Sequence, residues 1–133
     1  MFYIIAFVFG SIWGSFANVC IYRLPANKNV ATGRSCCPNC NNLIKWYDNI
    51  PIVSFLFLQG VCRNCSKKIN TQYLLVELIS GFSFAICYYL FGISITTLLF
   101  FILTICFVII FFIDLKHFII PNELTITLMV IGI

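Results

Sequence analysis

Long apolar runs alternate along this chain with a single long polar stretch. Phe2 to Leu24 carries no charge before Arg23, Tyr73 to Phe91 carries only Glu77, and Ile93 to Ile113 carries none. At about 1.5 Å per residue in a helix, each run is long enough to cross a hydrocarbon core of about 30 Å. The pattern therefore predicts three membrane-spanning helices, with a short outer turn at Gly92 between the second and the third.

The polar stretch between the first two runs, residues 25 to 72, predicts an insertion outside the membrane. The first residues of the insertion are not expected to form a helix, because they include the helix-breaking residues Pro25, Asn27, Asn29, Gly33 and Ser35. Further on, Ile50 to Leu58 is apolar but much shorter than the roughly 20 residues that a spanning helix needs. We expect this segment to lie on the membrane surface or to pack on the rest of the insertion.

A fourth helix is predicted to begin at Pro121-Asn122-Glu123, after the third span. Only residues 124 to 133 follow Glu123, whereas a span needs about 20 residues, so we expect a truncated chain or one that another chain completes. The fold class predicted is an all-α polytopic membrane protein. Its segments are a first transmembrane helix at 1–24, the insertion at 25–72, and the start of a helical membrane domain at 73–133.

The charges indicate which side of the membrane the insertion occupies. The chain is 62% apolar and 9% charged, with a mean hydropathy of +1.04. Seven of its eight Lys and Arg residues are Arg23, Lys28, Arg34, Lys45, Arg63, Lys67 and Lys68. Because basic loops stay on the cytoplasmic side, the insertion is predicted to be cytosolic. A basic patch beside a membrane and poor in aromatic residues favours anionic head groups or topology signalling over nucleic acid.

Two Cys-x-x-Cys pairs stand inside the insertion. They are Cys37-Pro38-Asn39-Cys40 and Cys62-Arg63-Asn64-Cys65. The two pairs are separated by 21 residues. Pairs at this separation are typical of a structural zinc site, in which four thiolates form a tetrahedron and leave no position for water or substrate. Disulfides are the alternative, and they need an oxidising compartment, which a cytosolic insertion lacks. Cys37, Cys40, Cys62 and Cys65 are therefore the predicted metal ligands.

Small and polar residues inside the spans predict close helix packing. Gly10-x-x-x-Gly14 allows another helix to approach the first span closely. Asn18 needs a hydrogen-bond partner, since its amide would be unsatisfied against lipid. Glu77 lies about one turn inside the second span, where its carboxylate either snorkels to the interface or engages the site.

Asp114 is the candidate for catalysis. A carboxylate at the C-terminal end of a helix faces the negative end of the helix dipole, which is unfavourable without a compensating reason. Two such groups can share a proton, as in aspartic proteases, so that one activates water and the other protonates the leaving group. The other acids are Asp48, Glu77 and Glu123, and none of them sits at a matching helix end.

A series of motifs in this chain resembles the type IV prepilin peptidase family. It comprises Gly14-Ser15-Phe16-Ala17-Asn18-Val19-Cys20-Ile21-Tyr22-Arg23-Leu24-Pro25, both cysteine pairs, Asp48-Asn49-Ile50-Pro51, Leu75-Val76-Glu77-Leu78, and Asp114 followed by Ile120-Pro121-Asn122. The resemblance implies a polytopic aspartic protease of the bacterial inner membrane that removes the leader from type IV prepilins or from type II secretion pseudopilins. Many members also methylate the new N-terminus with S-adenosylmethionine, and in these the four-cysteine segment binds zinc and belongs to the methyltransferase half.

The resemblance also assigns roles to particular residues. Asp114 matches the first catalytic aspartate of the family, whereas the second belongs to a downstream Gly-x-Gly-Asp motif that these 133 residues do not contain. No glycine-rich nucleotide loop is present, so methylation rests on the resemblance alone. Cys36 is an extra thiol whose spacing fits a metal site less well than that of Cys37. The alternative function is a non-catalytic membrane zinc module, or a remnant, that binds pilin-like helices without cutting them.

Overall fold

The computed structural model describes residues 1–132, and this part of the chain is helical without any β-strand. Five α-helices follow one another: α1 (Phe2–Arg23), α2 (Val53–Phe57), α3 (Gln72–Phe91), α4 (Ile95–His117) and α5 (Asn122–Gly132). Short 3₁₀ turns lie at Leu24–Ala26 and Trp46–Asn49. The predicted all-α class is confirmed, while Ile133, the last residue of the predicted 73–133 segment, lies outside the described residues.

Three of the helices, α1, α3 and α4, are long and apolar enough to cross a membrane. They correspond to the three predicted spans, but the third differs at both ends. It begins at Ile95, where the Ser94 side chain accepts a hydrogen bond from the Thr97 N–H. It continues to His117, so that Asp114 lies in the last turn of α4, at the helix end where the sequence predicted it.

Glycines bring α1 and α3 into close contact. A Cβ atom added to Gly10 would lie 2.6 Å from the backbone oxygen of Ser80, and one added to Gly14 would lie 2.8 Å from the Cα atom of Glu77. From the α3 side, a Cβ atom on Gly81 would lie 2.5 Å from Ser11 Oγ. The predicted role of the Gly10-x-x-x-Gly14 pair in close packing is therefore confirmed, and α3 is its partner.

The third long helix completes the apolar core. Residues of α4 that include Ile109 and Ile113 pack with Ala17 of α1 and Val76 of α3, and Leu124 of α5 joins the same cluster. Many other large apolar side chains of the three long helices remain exposed. Exposed apolar surface of this extent on spanning helices is suited to contact with lipid.

The insertion is tied to the end of α1 by one arginine. The Arg23 guanidinium donates hydrogen bonds to three backbone carbonyls, those of Asn29, Thr32 and Gly33, at 3.1, 2.7 and 3.3 Å. These bonds shape a segment with no regular structure of its own. Sequence reasoning gave Arg23 a role in topology only, although a guanidinium with five donors beside a polar loop was a signal for this arrangement.

Candidate metal centre and the neighbouring helix end

The two Cys-x-x-Cys pairs form turns with the same hydrogen bonds. In the first turn, the Cys37 N–H donates to the Asn42 carbonyl and the Asn41 N–H donates to the Cys37 carbonyl; in the second, Cys62 pairs in this way with Lys67 and with Ser66. Asn41 and Ser66 occupy equivalent positions, with φ of 55° and 56°. Isolated bridges join Cys36 to Leu43 and Val61 to Lys68, again at equivalent positions. The two turns are thus copies of one local structure.

These turns bring four sulfur atoms together. The Sγ atoms of Cys37, Cys40, Cys62 and Cys65 all lie within 4.8 Å of one another. The Cys37–Cys65 separation is 3.8 Å and the Cys40–Cys62 separation is 4.0 Å. A tetrahedral zinc ion with Zn–S bonds of about 2.3 Å places its sulfurs about 3.8 Å apart, so these residues fit such an ion. All eight cysteines are free thiols, so the disulfide alternative is not the arrangement in this structure.

The electrostatics of the four thiols also favour a cation. Backbone N–H groups of Cys65 and Asn64 lower the pKa of the Cys62 thiol to about 7. At Cys40 the Asn42 N–H lowers the pKa, but desolvation and the three neighbouring sulfurs outweigh it and raise the pKa to about 11. Thiolates this close repel one another, so a divalent cation is needed before all four can ionise together.

An ion pair links the two Cys-x-x-Cys turns, called the metal turns below, to the rest of the insertion. Arg63, inside the second cysteine pair, donates from Nε and Nη2 to the two carboxylate oxygens of Asp48 at 2.9 and 2.7 Å. The guanidinium also lies over the Tyr47 ring, 5.6 Å from its centroid. The hydrogen bonds from Arg63 hold the pKa of the Asp48 carboxyl below its usual range. This contact was missed from the sequence, where an acid in an otherwise basic loop was its only signal.

Glu77 joins the insertion to the membrane helices. Its side chain is 9% exposed, and Oε2 accepts a hydrogen bond from the Ile52 N–H at 2.8 Å. The carboxylate is thus bonded to the insertion inside the protein, and this contact favours engagement over snorkelling, the other predicted alternative. Ile52 has a φ of 62°, an unfavourable conformation for a β-branched residue. Strain of this kind persists only where the surrounding contacts enforce it.

Asn18 has the partner that the sequence predicted it needs. Its Nδ2 donates to the Tyr73 carbonyl at 3.0 Å, where α3 begins. Its Oδ1 is buried without a partner in residues 1–132, and Ser80 Oγ shares this condition. Buried polar atoms are nearly always paired, and Asn18, unlike Ser80, borders a cavity that has room for a water or ligand group.

A cavity of about 1040 Å³ lies between the insertion and the helix ends. Asn18 and Glu77 border it from the helices, Cys37 and Cys62 border it from the metal turns, and the end of α4 contributes its last two residues, Lys116 and His117. Asp114 lies one turn from this border and its side chain is exposed. The structure therefore places the candidate catalytic helix end and the metal turns around the same space.

The remaining cysteines lie apart from the metal cluster. Cys36 is exposed and is not one of the four clustered thiols. Cys20 and Cys106 are buried among apolar residues of the bundle, and Cys87 is half-buried in α3. These positions agree with the predicted choice of Cys37 over Cys36 as the ligand.

The fold and the cluster define a class of protein: a helical membrane protein with an insertion after its first span whose four clustered thiols could hold a metal ion. Within that class, the chain belongs to the family described as the bacterial peptidase A24 N-terminal domain, whose model matches residues 8–91. No solved structure is significantly similar to the chain.

Curated relatives extend this similarity along the chain. A prepilin leader peptidase/N-methyltransferase of Myxococcus xanthus is 39% identical over 133 residues, which is 100% of this chain and 40% of the relative. Relatives of the same name are 42% identical in Vibrio cholerae, over 92% of this chain and 52% of the relative, and 34% identical in Neisseria gonorrhoeae, over 97% and 54%. The chain thus spans about half the length of these relatives.

Proposed function

We propose that this chain is the N-terminal part of a prepilin leader peptidase and N-methyltransferase of the bacterial inner membrane. The observation that carries the proposal is the match of 34 to 42% identity to relatives of that name along 92 to 100% of the chain. The four-thiol cluster and the three helices of membrane-spanning length support it. The substrate is a type IV prepilin or a pseudopilin.

In this proposal Asp114 is one of the two aspartates of the peptidase. A second carboxyl group shares its proton, so that one carboxylate takes a proton from water while the water oxygen attacks the scissile carbonyl. The other carboxyl gives its proton to the nitrogen of the leaving amine. No Gly-x-Gly-Asp occurs among the 133 residues, so the second aspartate comes from further sequence of the complete protein. The position of Asp114 in the last turn of α4 supports its part in this chemistry.

The insertion, residues 25–72, is the methyltransferase-associated segment of this proposal, and residues 73–133 begin the peptidase domain. Cys37, Cys40, Cys62 and Cys65 hold a zinc ion whose work is to fold the insertion, because four thiolates leave it no open position for substrate. The 3.8 and 4.0 Å sulfur separations support zinc.

S-adenosylmethionine supplies an electrophilic methyl group when it is bound. The cavity of about 1040 Å³ is large enough for a small molecule of this kind. At its membrane side, the Glu77 carboxylate and the unpartnered Asn18 Oδ1 are acceptors suited to an ammonium or sulfonium group. These features support the fit, and in this proposal Glu77 and Asn18 orient the methyl donor.

The experiment that tests the function uses the full reading frame expressed in membranes with a prepilin. Leader removal is read as a mobility shift, and methyl transfer is read as label incorporated into the processed N-terminus. Both activities are expected. A full-length protein that binds the prepilin but neither cleaves nor methylates it would favour the alternative, a non-catalytic zinc module that binds pilin-like helices.

A further inference from the structure

The short helix α2 carries an apolar face that the other described residues, within 1–132, leave uncovered. Val53, Leu56 and Phe57 stand at positions i, i+3 and i+4, which lie on one side of a helix. Leu56 is 64% exposed and Phe57 is 84% exposed. No charged residue occurs between Asp48 and Arg63 in a loop that is otherwise rich in charge.

The opposite side of α2 is directed into the insertion. Ser54 is buried, and its hydroxyl donates to the Tyr47 carbonyl at 2.8 Å. The Phe55 ring lies close to Gly60, where an added Cβ atom would come within 3.1 Å of it. The helix therefore has a fixed orientation, with its polar group satisfied inside and its large apolar groups directed outward.

The residues that precede α2 lie beside the membrane-spanning part of α1. Asn49 and Pro51 share a groove with four α1 residues between Ile12 and Val19. At 1.5 Å per residue, Val19 and Ile12 are about 6 and 16 Å along the helix from Arg23, the basic residue at its end. The segment leading into α2 is thus level with the spans and not outside them.

A contact with α3 also places the start of α2 level with the membrane-spanning helices. The Ile52 N–H, at the start of α2, donates to Glu77 of α3. Glu77 is five residues after Gln72, the first residue of α3, which corresponds to about 7.5 Å along that helix. The Glu77 carboxylate accepts a hydrogen bond from this N–H and so leaves it paired. An unpaired backbone donor would cost free energy at this depth in a bilayer.

From these observations we propose that α2 is a membrane anchor whose Val53, Leu56 and Phe57 side chains insert among the acyl chains of the adjacent leaflet. The occupant of the apolar face is lipid because Pro51, two residues before Val53, lies beside the exposed apolar residues Ile12 and Phe16 of α1. The anchor holds the four-thiol cluster at a fixed height over the bilayer.

Tryptophan fluorescence of the full-length protein in anionic vesicles tests this proposal. The parent is Trp46→Phe, and its signal, which comes from Trp13 on α1 and from any tryptophan beyond residue 133, is subtracted from that of each variant. Phe57→Trp is then compared with Lys67→Trp, a matched position on the polar surface. Each is quenched in turn by phospholipids brominated along their acyl chains and by aqueous iodide. Equal metal content in all variants shows that the insertion is folded.

Water-borne iodide does not enter hydrocarbon, so the ratio of bromolipid to iodide quenching is expected to be at least about threefold higher for Phe57→Trp than for Lys67→Trp. Equal ratios would overturn the proposal, because α2 would then be in water. Shielding of Phe57→Trp from both quenchers would also overturn it, because protein and not lipid would cover the face. If Phe57→Trp loses its metal, Leu56→Trp on the same face provides the measurement.

Discussion

The carboxylate of Glu77 and the backbone N–H of Ile52 are 2.8 Å apart, although 25 positions separate the two residues in the chain. One belongs to a membrane-length helix and the other to the insertion. The Ile52 backbone is held at a φ of 62°. A backbone conformation of this kind costs on the order of 1–3 kcal/mol, so it needs a compensating contact. The hydrogen bond to Glu77 is that contact, and it fixes the insertion to the helices.

Glu77→Ala is expected to loosen the insertion. The change removes the acceptor of the part-buried Ile52 N–H, at a cost of about 1–3 kcal/mol, while the strain at Ile52 remains. Limited proteolysis in membranes should cut the insertion faster in this variant. Glu77→Gln keeps an acceptor oxygen and should resemble the parent, and Glu123→Ala, which removes an exposed carboxylate from α5, is the matched control. Identical cleavage of Glu77→Ala and the parent would contradict this role.

Gly14→Ala is expected to destabilise the pairing of α1 with α3. The new Cβ atom would lie 2.8 Å from the backbone of Glu77, which cannot move away without displacing the helix. Overpacking of this kind costs about 1–3 kcal/mol. The thermal unfolding temperature in detergent should fall, whereas Gly132→Ala should leave it unchanged because no described residue comes within 4 Å of the added Cβ atom. An unchanged unfolding temperature for Gly14→Ala would mean that the two helices can separate freely.

The bundle could be predicted from the sequence because its signals are local. Uncharged length predicts a span, and Gly10 and Gly14 predict a close helix contact, whichever helix provides it. The spacing of the two cysteine pairs likewise predicts a metal cluster, because each pair forms the same turn by itself. These features needed no knowledge of distant residues.

The contacts of the insertion could not be predicted, because they join residues that are distant in the chain. Arg23 donates to backbone carbonyls of the loop, and the sequence pattern does not show which way those carbonyls point. The pairing of Asp48 with Arg63 depends on the relative position of two turns in the folded insertion. For Glu77, sequence reasoning weighed the interface against the site, but a backbone N–H at a strained isoleucine was the partner. The third span was predicted as Ile93 to Ile113 from its uncharged length, whereas the helix runs from Ile95 to His117 because Asp114 and Lys116 are part of its last turn.

Cys40→Ser is expected to remove the metal from the insertion. Structural zinc contributes on the order of 10 kcal/mol to folding, so loss of one ligand should leave the 25–72 segment sensitive to protease and reduce the zinc content of the purified protein. Cys36→Ser changes an adjacent thiol outside the cluster and should keep one zinc per chain. Wild-type protein purified without zinc, with four reactive thiols, would show that the cluster has another role.

The insertion and Asp114 are expected to lie on the same, cytoplasmic side of the membrane, with Gly92 on the other. Basic residues in the loop provide the reason. In a Cys36→Ser background, Lys45→Cys should react with a membrane-impermeant maleimide only after the membrane is opened to the cytoplasmic side. Ile93→Cys, at an exposed position of the short turn, should react from the outside. Reaction of Lys45→Cys from the periplasm would reverse the proposed topology.

Asp114→Asn in the full-length protein is expected to abolish leader removal. The amide keeps the shape of the side chain but cannot take or give the proton that two aspartates share, and proton transfer by such groups contributes about 10²–10⁴-fold to a rate. Cleavage of a prepilin, followed by its mobility shift in membranes, should therefore fall by at least about 100-fold. Glu123→Gln removes another exposed acid from the following helix and should cleave normally.

Two other activities of the Asp114→Asn protein show whether it has lost only the shared proton or has also lost its structure. Asp114→Asn should still bind the prepilin, and it should still methylate a pilin whose leader has already been removed, because the metal turns and the cavity are unchanged. The 133-residue chain alone should not cleave, since a single carboxylate cannot act as base toward water and at once as acid toward the leaving amine. Near-normal cleavage by the full-length Asp114→Asn protein would assign water activation to a different residue.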